Sequence, residues 1–350
     1  MDTPPLPPSL GAPLLSARFK LTPADFVVNE VLGFECSGAG EHLWLQIRKT
    51  GLSTPDVAER LARATGLPPA SISWSGLKDK QGVCTQWFSL HSPGRDVDGL
   101  AALASDALCI LQQQRNHKKL RRGSHRGNQF RIRLHDVTPV ASVTMATAWQ
   151  DLQRRLQIMA QAGVPNYFGE QRFGHDNLTH AQAWFNGQRK PRGRLERSMW
   201  LSAARSALFN AVLARRVEQG NWDRYLPGDV MNLDGSGSVF ASTADDTTLA
   251  QRLQTLDIHP TGPMWGQGEL ATTGAAAALE RAVASELAVF SDALPRFGLK
   301  QERRSLRLPV KAIDYRRPEP GTLEIEFTLP TGTYATAVLH ELITRTGTSG

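Results

Sequence analysis

The chain has 350 residues, 41% hydrophobic and 21% charged, with 40 Lys and Arg against 33 Asp and Glu for a formal charge of +7; that is enough for two domains, or for one domain carrying a large insertion. No apolar run approaches the ~20 residues that a membrane helix needs, and the opening MDTPPLPPSLGAP has neither the basic nor the apolar region of a signal peptide. Three scattered cysteines, Cys36, Cys84 and Cys109, form no C-x-x-C pair, which argues against a zinc site or a disulfide framework and suits a reducing cytoplasm.

Five prolines in the first thirteen residues predict a loose arm. FVVNEV (26–31), LWLQIR (43–48) and QWFSLH (86–91) read as short strands with aromatic or β-branched residues. LGFECSGAGEH (32–42) carries glycines at 33, 38 and 40, but it opens a strand and not a helix; it fails as a nucleotide-binding loop and reads as a hairpin turn. Thr54 is the expected cap of a helix that has Pro55 in first position, Val57, Leu61 and Ala64 on its apolar stripe and Gly66 at its end. WSGLKDKQGVCTQ (74–86) then sets Asp79 between two lysines in a turn bounded by Gly76 and Gly82.

Residues 111–133 contain eight Lys and Arg and no acid, more than the whole net excess. Such clustering is the footprint of a phosphate-binding surface, although a charge run alone is as well explained by a solvated loop. Within it QFRIRLH (129–135) alternates Phe130, Ile132 and Leu134 with Arg131 and Arg133, the period of a half-buried strand. Met145, Trp149, Leu152, Leu156 and Met159 predict an amphipathic helix closed by Gly163 and Pro165. Up to about residue 300, glycine-rich turns (NLDGSGSVF and TGPMWGQGEL) separate helical stretches, one with Leu201, Ala204, Leu208 and Ala211 on a single face. Strand alternation returns in TLEIEFTL (322–329), and a helix begins near Tyr334. Sheet, then helix and turn, then sheet again is the order of an inserted domain, whose C-terminal strand would rejoin the N-terminal sheet in an α+β fold.

The chain has no phosphate loop for a nucleoside triphosphate, no zinc deaminase signature and no G-x-S-x-G elbow. Alone, Asp79 would be read as a solvated turn former. Its flanking lysines, however, are expected to keep it ionised. The run from Thr85 to Phe88 anchors the turn to a strand, and a separate basic strip suits RNA. One ionised aspartate acting on RNA without metal or cofactor meets the needs of uridine isomerisation to pseudouridine.

GLKDK with Thr85 and Gln86, PNYFGEQRFG (165–174), KLTPADFVVNE (20–30) and GNQF (127–130) together resemble the tRNA pseudouridine synthase D family, in the family's order and over almost the whole chain. The resemblance implies a pseudouridine synthase-type catalytic domain with a mixed, mainly antiparallel sheet, formed by residues 1–154 and 304–350. An α/β domain of residues 155–303 would be inserted in it. The implied substrate is uridine 13 of certain tRNAs. No cofactor, metal, membrane or obligate protein partner is implied, and a monomer is expected. Ser75 and Gly82 stand where the family pattern has alanine, a departure expected to touch only local turn packing.

The implied roles are specific. Asp79 acts as nucleophile or electrostatic stabiliser at the ribose C1′, and Lys20 is the candidate cation that orients it. Phe26, Asn128 and Phe327 contact the substrate and Phe130 lies beneath the everted base; each phenylalanine by itself is more often core. Asn128 suits the uracil edge because its amide both donates and accepts, although a turn role after Gly127 is as natural. Tyr167, Phe168, Phe173 and Arg172 of PNYFGEQRFG read equally as a packing plug or as an RNA contact, with Arg172 able to reach phosphate or Asp79. Arg189, Lys190, Arg192, Arg194 and Arg197 would extend the phosphate track towards an interdomain cleft. A non-catalytic tRNA-binding or folding factor is the competing reading, and it would have no need of Asp79.

Overall fold

The computed structural model describes residues 6–174, 176–243 and 245–346. The chain is α+β and divides into two compact units. One contains the long segment 151–310 with the flanking pieces 6–13 and 333–342; the other contains 14–150, 311–332 and 343–346. The sequence expectation puts the inserted domain at 155–303, and the long segment of this unit runs 151–310. The two flanking pieces, assigned there to the catalytic part, fold with it. The reason is visible in hydrogen bonds. Ser9 and Leu10 donate their backbone N–H groups to the Glu341 carboxylate at 2.8 and 3.1 Å, and Arg155 donates to the carbonyls of Gly11 and Ala12 at 2.9 and 2.8 Å. Residues 6–13 are therefore pinned and not the loose arm that their prolines suggest; the first five residues lie outside the described ones.

The second unit is built on a ten-stranded mixed sheet. Its N-terminal strands are β1 (Leu15–Phe19), β2 (Phe26–Val31), β3 (His42–Thr50), β4 (Ile72–Trp74), β5 (Val83–His91), β6 (Leu108–Asn116) and β7 (Gly127–Pro139). The C-terminal strands Lys311–Arg316 and Leu323–Pro330 complete the edge beyond β7, and the short Thr344–Arg345 pairs with β1. Two pairings are parallel, β2 with β5 and β1 with Thr344–Arg345; the others are antiparallel. Leu323–Pro330 does return to β7, with Phe327 opposite Phe130.

Two local expectations change. Strand β5 lies between β2 and β3, so residues 32–41 cross over a neighbouring strand and do not close a hairpin. Helix α1 (Thr54–Thr65) is capped one residue earlier than expected, by Ser53. The Ser53 Oγ accepts from the Asp56 N–H, and the Asp56 carboxylate accepts from the Ser53 N–H, a capping box. Gly66 ends the helix at φ 66° as expected. On the β3 and β5 part of the sheet, Leu45, Ile47, Val57, Leu61, Phe88 and Leu90 form one apolar cluster.

The first unit packs around the 25-residue helix Arg194–Glu218, whose Leu201, Ala204 and Leu208 are buried with Trp200 and Phe209. A four-stranded antiparallel sheet lies alongside it. TGPMWGQGEL contributes more than a turn here, because its first four residues lie within the strand Ile258–Met264.

Candidate active site

Side-chain alternation along the strands decides what meets what. In β2 the inward positions are Phe26, Val28 and Glu30, and in β7 they are Asn128, Phe130, Ile132 and Leu134, all buried. The register sets Phe130 opposite both Val28 and Phe327, Asn128 opposite Glu30, and Phe26 opposite Ile132. One sheet face thus gathers Phe26, Asn128, Phe130 and Phe327. The ring centroids of Phe26 and Phe130 are 6.0 Å apart, and those of Phe130 and Phe327 are 5.5 Å apart and nearly parallel; such pairs each contribute about 1 kcal/mol beyond their buried area.

The same face continues onto β5 and β3. Cys84 pairs with Val28 on one side and Lys49 on the other. Over this end of the sheet lies the loop that carries Asp79, and its backbone is held at several points. The Gln86 amide donates to the Gly76 carbonyl. The Lys78 N–H donates to Thr54 Oγ1 at 3.0 Å, and that hydroxyl in turn donates to Gln86 Oε1 at 2.9 Å. The Asp79 carbonyl accepts from Lys49 Nζ at 2.7 Å and from the Cys84 thiol at 3.5 Å. Lys49 is fully buried and donates also to the Leu52 carbonyl at 2.7 Å; burial lowers its pKa, opposed by the nearby Cys84 and Asp79. Removing it would strand the Leu52 carbonyl, at about 1–3 kcal/mol, and leave the Asp79 carbonyl only the weak Cys84 thiol as donor. Gly82 completes the turn: a Cβ there would come within 2.8 Å of the Phe26 carbonyl. Glycine at this position lets the loop approach β2.

Lys20 follows β1 directly, in a left-handed backbone conformation at φ 58°. Its ammonium stands 3.6 Å from Asp79 Oδ1 and 3.9 Å from the centre of the Phe26 ring. The Lys20 side chain is 10% exposed and that of Asp79 36%. Among the described residues this is the only ion pair of Asp79. The lysines that flank Asp79 in sequence do not supply its partner: Lys78 turns to Glu30, at 3.5 Å, and Lys80 is exposed.

Beneath the loop is a buried polar cluster that the sequence motifs did not announce. Glu30 accepts the Trp87 N–H at 2.7 Å and lies 3.3 Å from His125 Nδ1. Burial raises its carboxyl above the usual range, with the Lys78 charge opposing. His125 bonds through Nδ1 to the Ser75 hydroxyl, which also accepts the His125 N–H at 3.1 Å; Ser75 therefore does more than fill a turn. Burial and then Lys78 push His125 down to about 4, leaving the ring neutral at pH 7. His125 Nε2 and Asn128 Oδ1 are both buried without a hydrogen bond of normal geometry, although Asn128 is close enough to favour the charged ring.

The signal for these residues was in the strands themselves. Glu30, Lys49, Gln86 and Asn128 each occupy the apolar phase of an alternating strand, where a polar side chain must find partners or cost several kcal/mol.

PNYFGEQRFG folds within the other unit. The Tyr167 hydroxyl donates to the Pro7 carbonyl at 3.2 Å, Arg172 donates to Ser206 Oγ at 3.2 Å, and Phe168 packs edge-on against Phe209. Arg172 is thus engaged by its own unit.

The family model described as tRNA pseudouridine synthase D (TruD) matches residues 11–184 and 193–342. A curated tRNA pseudouridine synthase D of Pseudomonas putida (strain W619) is 45% identical over 339 residues, covering 96% of this chain and 94% of the relative. One of Methylococcus capsulatus is 43% identical over 340 residues, covering 97% and 94%. A crystal structure from Methanosarcina mazei, named for the same enzyme, superposes with a TM-score of 0.73 at 22% identity, covering 96% and 95%; it shares the fold. With most of its length matched by the family model and by these relatives, the chain belongs to the tRNA pseudouridine synthase D family.

Proposed function

We propose that the protein is a cytoplasmic tRNA pseudouridine synthase that isomerises uridine 13 of its tRNA substrates, as a monomer and without metal or cofactor, with Asp79 as its essential carboxylate. Family membership supports the reaction class. The observation that carries the residue assignment is the position of the Lys20 ammonium, 3.6 Å from Asp79 and 3.9 Å from the first ring of the Phe26, Phe130 and Phe327 series.

The target uridine is everted so that its ribose faces Asp79 and its base lies over the aromatic series, with Phe130 beneath. Asn128 reads the uracil edge, where the unengaged Oδ1 accepts an N–H and the amide nitrogen donates to a carbonyl. Asp79 presents negative charge to C1′ as the N1–C1′ bond breaks, and Lys20 orients it from behind. The detached uracil turns, C5 bonds to C1′, the C5 proton leaves and N1 gains a proton, so product and substrate are isomers. The clamped loop backbone supplies the fixed geometry that such a step needs.

The test is Asp79→Asn with unmodified tRNA. Pseudouridine formation should vanish while tRNA affinity persists; modification surviving the change would remove Asp79 from the chemistry and favour a binding or folding factor.

A further inference from the structure

The crossover loop 32–41 and the connection from β6 to β7 enclose a cavity of about 790 Å³ in the sheet-bearing unit. None of its lining residues belongs to the site already described. Phe34 and Trp44 line it together with His117, Lys118, Lys119 and Arg121. Glu35 is the one acid among its lining residues. Trp44 is buried, but the Phe34 ring standing edge-on against it, 5.8 Å between centroids, is 46% exposed.

The cavity is held open by bonds that leave its charged ends untouched. The Trp44 indole donates to the Lys118 carbonyl at 3.0 Å, and the Leu120 N–H donates to Ser89 Oγ at 3.1 Å. The His117 N–H donates to Ser37 Oγ at 3.1 Å, which ties the basic connection to the crossover loop. The Arg126 N–H reaches the carbonyls of Val31 and Leu32 at 2.9 and 3.0 Å. Its side-chain stem packs against Gly33 so closely that a Cβ there would lie 2.6 Å from it. The backbones are fixed while the side chains of Lys118, Lys119, Arg121 and Phe34 face solvent.

A half-exposed aromatic face beside three permanent cations matches one partner chemistry: an unpaired nucleotide. Its base can stack on an aromatic ring in a sequence-tolerant way, and its phosphates can meet lysine and arginine. Because the walls are already in place, little ordering cost opposes binding. We infer that this cavity is a second RNA-binding site, which receives an unstacked nucleotide of the tRNA with its base against Phe34 and its flanking phosphates on Lys118, Lys119 and Arg121. This rests on the tRNA reading above and adds to it a grip that is separate from the reacting uridine.

The experiment uses the full chain and unmodified tRNA, with KM, kcat and the salt dependence of affinity read for wild type, Phe34→Ala, Phe34→Trp and the double variant Lys118→Gln/Lys119→Gln. Loss of one stacked base should raise KM roughly tenfold in Phe34→Ala with kcat unchanged, and Phe34→Trp should restore it. The double variant should flatten the plot of log affinity against log salt by roughly one to two. Wild-type protein that binds no tRNA would overturn this site together with the tRNA reading. Normal wild-type turnover with variants indistinguishable from it would overturn the site alone, as would a Phe34→Trp variant as poor as Phe34→Ala. A KM change accompanied by an altered sedimentation coefficient would give the cavity to a contact between copies of the chain and refute the nucleotide.

Discussion

PNYFGEQRFG and GLKDK are both short, glycine-bounded and crowded with aromatic or charged residues, yet their polar atoms end differently. In the first, Asn166 donates to the Ser305 carbonyl and accepts from Arg304, both at 2.8 Å. The N–H and carbonyl of Phe168 are each bonded to the Asn210 amide at 2.9 Å. In the second the backbone is held as firmly, but the Asp79 carboxylate remains 36% exposed and faces one ammonium at 3.6 Å, farther than a charge-assisted hydrogen bond of about 2.8 Å. Residue types mark where polar groups concentrate. Whether their bonds are already made distinguishes a satisfied scaffold loop from a candidate site.

That contrast can be broken by substitutions on either side of it. The largest effect belongs to Lys20→Met, which should cut kcat by about 10²–10³-fold, the cost of one preorganised electrostatic partner, with the thermal midpoint little changed. Asn210→Leu should do the reverse. Stranding both polar groups of Phe168 should lower stability by about 2 kcal/mol in urea unfolding, while kcat at 25 °C stays as in wild type. Equal losses of activity in the two variants would mean that PNYFGEQRFG is part of the site.

The smallest effect is a pH dependence that sharpens the picture of the cluster beneath the loop. Folding lowers His125 from 6.5 to about 4, so between those values the unfolded chain holds more protons. Stability from this group is therefore complete above pH 6.5 and is lost as pH falls towards 4. Glu30, raised by burial, acts with the opposite sign. Between pH 7 and pH 5 wild type should lose about 1 kcal/mol more than His125→Gln, a discount on the roughly 2 kcal/mol of a fully buried ring. Urea midpoints at the two pH values measure it, and equal losses would mean that the ring is already solvated.

Strands were legible wherever alternation was strong, in QFRIRLH and TLEIEFTL above all, and the return of the C-terminal strand to β7 followed from that pattern. Strand order was not: the placement of β5 between β2 and β3 is a tertiary fact that no local period encodes. Asp79 stands out in the sequence as a carboxylate in a glycine-bounded turn, whereas the roles expected of Lys20 and the aromatic trio come from the family resemblance. Neighbours in sequence on a turn point apart, which leaves Lys78 to Glu30 and Lys20, 59 positions away, to Asp79. Glu30 and Lys49 carry no motif signal of their own, although each interrupts an apolar phase. A polar interruption on a buried face is a sharper sign of a built site than a run of exposed charge.

The left-handed turn at Lys20 has a consequence for how this position responds to selection. A non-glycine residue at φ 58° costs about 1 kcal/mol, close to what its ammonium regains over the Phe26 ring. A screen for heat tolerance would consequently find glycine and lysine nearly equivalent there, and only a screen that counts turnover would tell them apart.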